Sequence, residues 1–258
     1  MSNLGNGVRW VLDPSNWWGN AGLIHRALQH LAYSAWALLV AFVIAFPIGL
    51  LIGHTGHGRF AASGSANLLR AIPTYGIIAL LFYWKPFTLW TLLLALAVLA
   101  IPPIMLNTAA GIANVDPQTR DAAIGVGLTG RQVLTQVEIP NALPLILAGV
   151  RSAANQVLAT ATILGFKAQG GLGLFIFSGY GSQRYDTVYG ASIAVVLVVL
   201  AVEALFALLQ RRIVSPGLRI GREGNTRPRR RTRVRLAGVA QPSTSVVGAG
   251  VKGSNVER

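Results

Sequence analysis

The chain has 258 residues, of which 53% are hydrophobic and only 12% are charged, and its net charge is +14. An ordinary soluble domain carries about 25% charged residues, so this composition leaves too little polar surface for a water-soluble globule and predicts an integral membrane protein. The lack of cysteine excludes disulfides, thiolate metal sites and cysteine nucleophiles.

The first 24 residues are predicted to be an extracytoplasmic segment that precedes the membrane domain. They contain Asp13, Pro14 and the Trp17–Trp18 pair, and they lack the basic start and apolar core of a cleavable signal. Their location outside the cell follows from the orientation of the spans, which is argued below.

Residues 25–213 are predicted to form an all-α membrane domain of about five transmembrane helices. The charge-free run 31–53 is long enough to cross roughly 30 Å of hydrocarbon. Pro102–Pro103 is expected to break or kink the third span. Arg151 interrupts the fourth span and Glu203 the fifth. The predicted spans are about 31–53, 67–84, 87–113, 141–166 and 187–210.

The residues after the last span set the orientation. Ten arginines lie between Arg211 and Arg235, and such a cluster beside a span belongs in the cytoplasm. Five spans then place the N-terminus outside and the C-terminus in the cytoplasm. The tail 214–258 is basic, lacks aromatic residues and is predicted to be disordered. Contact with anionic membrane lipids is its expected role; nucleic-acid binding is the alternative, and no nucleic-acid partner is expected.

Segment 116–140 lies on the cytoplasmic side in this orientation. It contains signals for the start of two short helices and is not simply a polar loop. Asp116–Pro117 predicts an N-cap followed by proline at the first helical position. Residues 129–132 fit a capping box that opens a second helix, which we expect to end before Pro140. The pattern alone favours an ordinary helical connector over a rigid projecting element.

The segment contains Asp121-Ala122-Ala123, then Gly127, then Val137-x-Ile139-Pro140. This spacing resembles the Glu-Ala-Ala…Gly…Ile-x-Leu-Pro motif of ABC-importer permeases. The resemblance implies a helix that docks on a cytoplasmic ATPase subunit. Asp121 is one methylene shorter than the glutamate of the family, which changes its reach towards a basic partner. The small alanines would let the helix sit close in a groove, and Gly127 would supply a bend. The implied docking residues are Asp121, Ala122, Ala123, Gly127, Ile139 and Pro140.

Three further stretches resemble the osmoprotectant branch of these permeases, which carries glycine betaine, carnitine, choline or proline. They are Leu69–Pro73, Pro140–Arg151 and the Gln169–Gly173 loop. The resemblance covers about residues 25–213 and implies the arrangement of a type I importer permease. Another amino acid such as methionine is an alternative solute. A secondary transporter or a membrane scaffold that works without an ATPase is the alternative from a different class, although a coupled carrier would favour more buried carboxylates.

The chain is not expected to be an enzyme. Its lysines Lys85, Lys167 and Lys252 are followed by Pro, Ala and Gly, so it lacks the Gly-Lys-Ser/Thr of a phosphate-binding loop. The resemblance implies cytoplasmic ATP-binding subunits that hold ATP and magnesium, a second permease subunit and an extracytoplasmic solute-binding protein. No metal site is predicted, because His54 and His57 have no third ligand nearby and are interpreted as loop residues.

Polar side chains inside the last two predicted spans are the remaining candidates. Charges within a membrane are functional candidates by default. A pathway or gating face is therefore weighed against interhelical hydrogen bonding that only holds the helices together. Glu203 lies about two turns before Arg211, so structural pairing or snorkelling is weighed against a substrate role. The candidates are Arg151, Asn155, Gln156 and Glu203.

Overall fold

The computed structural model describes residues 3–58, 88–167 and 170–213, together with isolated positions between 60 and 83. The predicted second span 67–84 lies almost wholly outside the described residues, and the basic tail 214–258 lies outside them entirely. Regular secondary structure in the described ranges is helical, which confirms the predicted all-α class.

Four helices in the described part are long and apolar enough to cross a membrane, and each overlaps one predicted span. Their α-helical bounds are α2 (Leu23–Thr55), α3 (Leu89–Ala113), α5 (Ile139–Thr160) and α7 (Tyr185–Ile213). Shorter α-helices are α1 (Asn3–Leu12), α4 (Pro117–Gly125) and α6 (Gly173–Gly181), and 3-10 helices cover Pro14–Asn16 and Ala161–Lys167. Pro102–Pro103 does not end α3, which continues for ten residues beyond the pair.

The main core lies between α2, α3 and α5, where small residues allow close contact. Ala41 of α2, Ala100 of α3 and Ala153 of α5 are all fully buried. A Cβ on Gly49 would lie 2.7 Å from the Thr108 Cβ, so the backbones of α2 and α3 approach closely only because that side chain is absent. Small residues at such contacts are the usual means of helix association in lipid.

The N-terminal segment contains a helix that the sequence analysis did not predict. Helix α1 packs against the start of α7, and its Trp10 ring meets Phe175 edge-on with 5.3 Å between ring centroids. The Asp13 carboxylate accepts a hydrogen bond from the Ser15 backbone N–H at 2.9 Å, and this bond lowers the pKa of Asp13. The segment before α2 is therefore folded onto the membrane helices.

Candidate functional site

The 116–140 segment begins with the N-cap that the sequence predicts. The Asp116 carboxylate accepts from the Gln118 backbone N–H at 3.1 Å, and Pro117 is the first residue of α4. The predicted capping box is also present, because the Gln132 Oε1 accepts from both the backbone N–H and the hydroxyl of Thr129, each at 2.8 Å. These local bonds give both helical stretches of the segment defined starts.

A sharp bend separates the two helical stretches at Gly127. This residue has a φ of +90°, in the left-handed region, and a Cβ there would have no atom within 4 Å. The position therefore favours glycine because of its backbone and not because of a close neighbour. The conformation is the one that the predicted bend requires.

The second helix does not end before Pro140, contrary to the sequence analysis. Residues Gly130–Gln132 lead into a π-helical turn, Val133–Glu138, which continues directly into α5. A proline ring clashes with the carbonyl four residues earlier in a regular α-helix, and the wider π turn lies where that clash would occur. The segment and the span thus form one helical unit of 37 residues, Gly130–Phe166. The half-buried Ile139 and the exposed Pro140 lie within it.

The motif residues of α4 do not all face the same way. Asp121 and Ala122 are exposed, whereas Ala123 is only 8% exposed and is covered by its own chain. Ala123 is therefore packed against its own chain, and Ala122 is the alanine of the pair that is open to a partner. Ile124 is 56% exposed and Val126 is 80% exposed. We call Ala122, Ile124 and Val126 the apolar tip; sequence reasoning missed the two larger residues, although they stand out in a polar segment.

A buried carboxylate joins this segment to the ends of two spans. Glu138 is fully buried; its Oε2 lies 2.6 Å from the Nδ1 of His54, and its Oε1 lies 2.6 Å from the Nε of Arg120. Arg120 also donates from Nη2 to the Ile112 carbonyl at 3.3 Å. These residues lie in the last turn of α2, in α4, in the π turn and near the end of α3. We call Glu138, His54 and Arg120 the Glu138 joint.

The Glu138 joint was not predicted from the sequence. The interpretation of His54 as a loop residue is wrong, because His54 lies in the last helical turn of α2. The one available signal was a glutamate between the apolar Val137 and Ile139, where an unpaired charge is costly. Among the residues that the structure describes, no three His, Asp or Glu side chains gather as metal ligands.

A second polar cluster lies between α5 and α7. Arg151 donates from Nε to the Glu203 Oε1 at 2.8 Å, with a further contact from its Nη2 to the same oxygen. Asn155 donates from Nδ2 to the other oxygen of Glu203 at 2.7 Å. The Arg151 Nη1 reaches the Gln210 Oε1 at 3.4 Å, and Gln156 is exposed elsewhere on α5. The structure brings three of the four candidates together, and the partner of Glu203 is an arginine of the neighbouring helix.

Comparison with known proteins agrees with this architecture. Residues 45–215 match the family model for the binding-protein-dependent transport system inner membrane component. The carnitine transport permease protein OpuCB of Listeria monocytogenes is 32% identical over 202 residues, which are 78% of this chain and 93% of that protein. The glycine betaine/carnitine/choline transport system permease protein OpuCB of Bacillus subtilis is 28% identical over 76% of this chain and 90% of its own. The osmoprotectant import permease protein OsmW of Salmonella typhimurium is 31% identical over 82% of this chain and 99% of its own.

Among solved structures, two crystal forms of the inward-facing MetNI methionine ABC transporter contain a chain of the same fold. The TM-scores are 0.66 and 0.65 at 20% and 19% identity, and the match covers 75% of this chain and 97% and 96% of those chains. The family match, the relatives and the four apolar helices lead to one conclusion. The chain belongs to the inner-membrane components of binding-protein-dependent transport systems and is a multi-pass permease of an ABC importer.

Proposed function

We propose that this permease imports a compatible solute such as glycine betaine, choline, carnitine or proline. The support is the set of relatives with 28–32% identity, whose names specify carnitine, glycine betaine, choline or osmoprotectants and of which this chain covers at least nine-tenths. The proposed arrangement has five spans, with the N-terminus outside and the basic C-terminal tail in the cytoplasm against anionic lipid. A second permease subunit, identical or similar, completes the pathway, and an extracytoplasmic binding protein delivers the solute.

We further propose that the 116–140 segment receives the energy for transport from a separate cytoplasmic ATPase, which holds ATP and magnesium. The observation that carries this proposal is the apolar tip, because two large apolar side chains are exposed at the end of α4 and directly after it, and Arg120 of the same helix is paired with the buried Glu138. Burying one such side chain in a partner contributes about 1.5–3 kcal/mol, or roughly tenfold or more in affinity. The exposed Asp121 would add at most about 1 kcal/mol through a rim ion pair. Docking is thus expected to depend mainly on the apolar tip.

The docking proposal is tested by purification of the complex from cells that also produce the ATPase subunit. Val126→Glu places a charge on the apolar tip and should reduce recovery of the ATPase at least about tenfold. Gln118→Glu is the matched control, because it adds the same charge to an exposed position of the same segment outside the apolar tip. Equal ATPase recovery with both variants would refute docking through the apolar tip.

The solute is tested by radiolabelled uptake at high osmolarity in cells with and without the chain. The panel contains glycine betaine, choline, carnitine, proline and methionine. Loss of uptake of one or more of the first four, with methionine unchanged, is the expected result. Loss confined to methionine or another amino acid would place the protein in a neighbouring branch of the family and contradict the proposal.

A further inference from the structure

The Glu138 joint connects the segment that carries the apolar tip to both neighbouring spans. His54 belongs to the last turn of α2, and Arg120, which belongs to α4, reaches the carbonyl of Ile112 near the end of α3. Glu138 itself lies in the π turn that leads into α5. Glu138 and Arg120 together therefore connect four helical elements at one end of the bundle.

The burial of Glu138 makes this connection difficult to open. Its side chain has no exposure, whereas those of His54 and Arg120 are 31% and 30% exposed, so these two partners separate the carboxylate from solvent and carry its counter-charge. Each of its oxygens faces a partner on a different element, and displacement of either element would leave part of a buried charge uncompensated. The joint therefore resists separation of α4 or of the α2 end from the π turn.

Within the described part of the chain, helix α4 buries little surface of its own. Ala123 is the buried residue within its nine residues, and the bend at Gly127 separates it from the next helical stretch. A push on the apolar tip could rotate such a helix by itself. With Arg120 fixed to Glu138 and to the Ile112 carbonyl, the same push must displace the ends of the spans.

We propose that the Glu138 joint is the mechanical connection that transmits movement of α4 to the spans, with Glu138 and Arg120 as positioning residues for coupled transport. Arg120 connects α4 to α3, and His54 extends the connection to α2. The inference rests on the proposed docking of an ATPase at the apolar tip. Loss of the joint leaves the tip itself intact, so the ATPase still binds and hydrolyses ATP while less solute crosses for each ATP.

The test uses the full complex of permease, ATPase and binding protein in proteoliposomes, with solute uptake and ATP hydrolysis measured together. Glu138→Gln and Arg120→Met are expected to reduce solute uptake per ATP by roughly two- to thirtyfold, the range for residues that carry coupling between sites. ATPase recovery should equal that of the parent. The double variant should lose less than the sum of the two single variants, because both remove the contact between Glu138 and Arg120. Arg120→Lys, which keeps the charge, should restore part of the loss.

Arg131→Met is the matched control, since it removes an exposed arginine from the same segment outside the joint. If Glu138→Gln fails to insert, His54→Asn and Arg120→Lys decide the question, with a smaller decrease in uptake per ATP expected for each. Unchanged uptake per ATP in assembled variants would overturn the proposal. A decrease in uptake per ATP that appears only together with loss of ATPase from the complex would also overturn the proposal, because the joint would then only keep the docking segment folded. Failure of the parent chain to recover any ATPase would instead refute the proposed function.

Discussion

Replacement of Glu203 by glutamine removes the carboxylate that connects α7 to α5. In the structure this group accepts hydrogen bonds from Arg151 and Asn155, and both of its oxygens are used. A glutamine keeps the size and one acceptor oxygen but leaves the Arg151 guanidinium without a counter-charge. Glu203→Gln is therefore expected to destabilise the contact between the two helices without creating a cavity.

The size of this effect follows from the exposure of the pair. The side chains of Arg151 and Glu203 are 33% and 31% exposed. Removal of one partner should therefore cost less stability than in a fully buried pair, where it costs about 3–5 kcal/mol. Measured interactions between polar side chains of membrane helices average about 0.6 kcal/mol and reach about 1.7 kcal/mol. We expect a coupling energy near the upper end of that range, because the contact has several hydrogen bonds and a charge on each side.

The assay is a double-mutant cycle with Glu203→Gln, Arg151→Met and the combined variant, read out as thermal stability of the purified protein in mild detergent. The combined variant should lose less stability than the sum of the two single variants, and it should still transport solute. Strict additivity would refute the argument that the two side chains stabilise each other. A stable combined variant without uptake would show that the cluster lies on the solute pathway instead of only holding α5 to α7.

Three further variants test other parts of the structure. Gly127→Val should cost about 1–2 kcal/mol from its left-handed backbone and reduce ATPase recovery, while Gly127→Asn should be tolerated; equal recovery with both would contradict the bend argument. Gly49→Val should lower the yield of folded protein, because its Cβ would lie 2.7 Å from the Thr108 Cβ, and a normal yield would mean that α2 and α3 can separate at little cost. Truncation after Arg212 should leave uptake largely intact and change only salt sensitivity or subunit yield; background uptake by a properly inserted truncated protein would show that the tail takes part in transport.

Local features of the fold could be predicted from the sequence because they depend on neighbouring residues. The charge-free run 31–53 indicated a membrane helix, and α2 covers it. The N-cap at Asp116 and the capping box at Thr129 were predicted from residues two or three positions apart, and both are present. The end of the second helix was predicted wrongly, because the rule that proline stops a helix takes no account of a π turn before Pro140.

Contacts between distant residues could not be predicted in this way. His54 and Glu138 are 84 positions apart, and Arg151 and Glu203 are 52 positions apart. Each of these residues stands among apolar neighbours, which indicates that it needs a partner but does not identify the partner. The direction in which Ala123 points was also undetermined, because a spaced motif specifies the residue types and not which side of a short helix faces the rest of the chain.

The two ion-pair clusters complement the close helix contacts. Alanine and glycine, as at Ala41 and Gly49, let the backbones of neighbouring helices approach closely through apolar contact. Glu138 and Glu203 add charged contacts between helical elements, and each carboxylate has a partner at both of its oxygens. A charge that loses its partner is costly, whereas an apolar contact that opens leaves no charge uncompensated. A permease that must change shape during transport is therefore expected to keep the helical elements that share an ion pair together and to move them as rigid bodies.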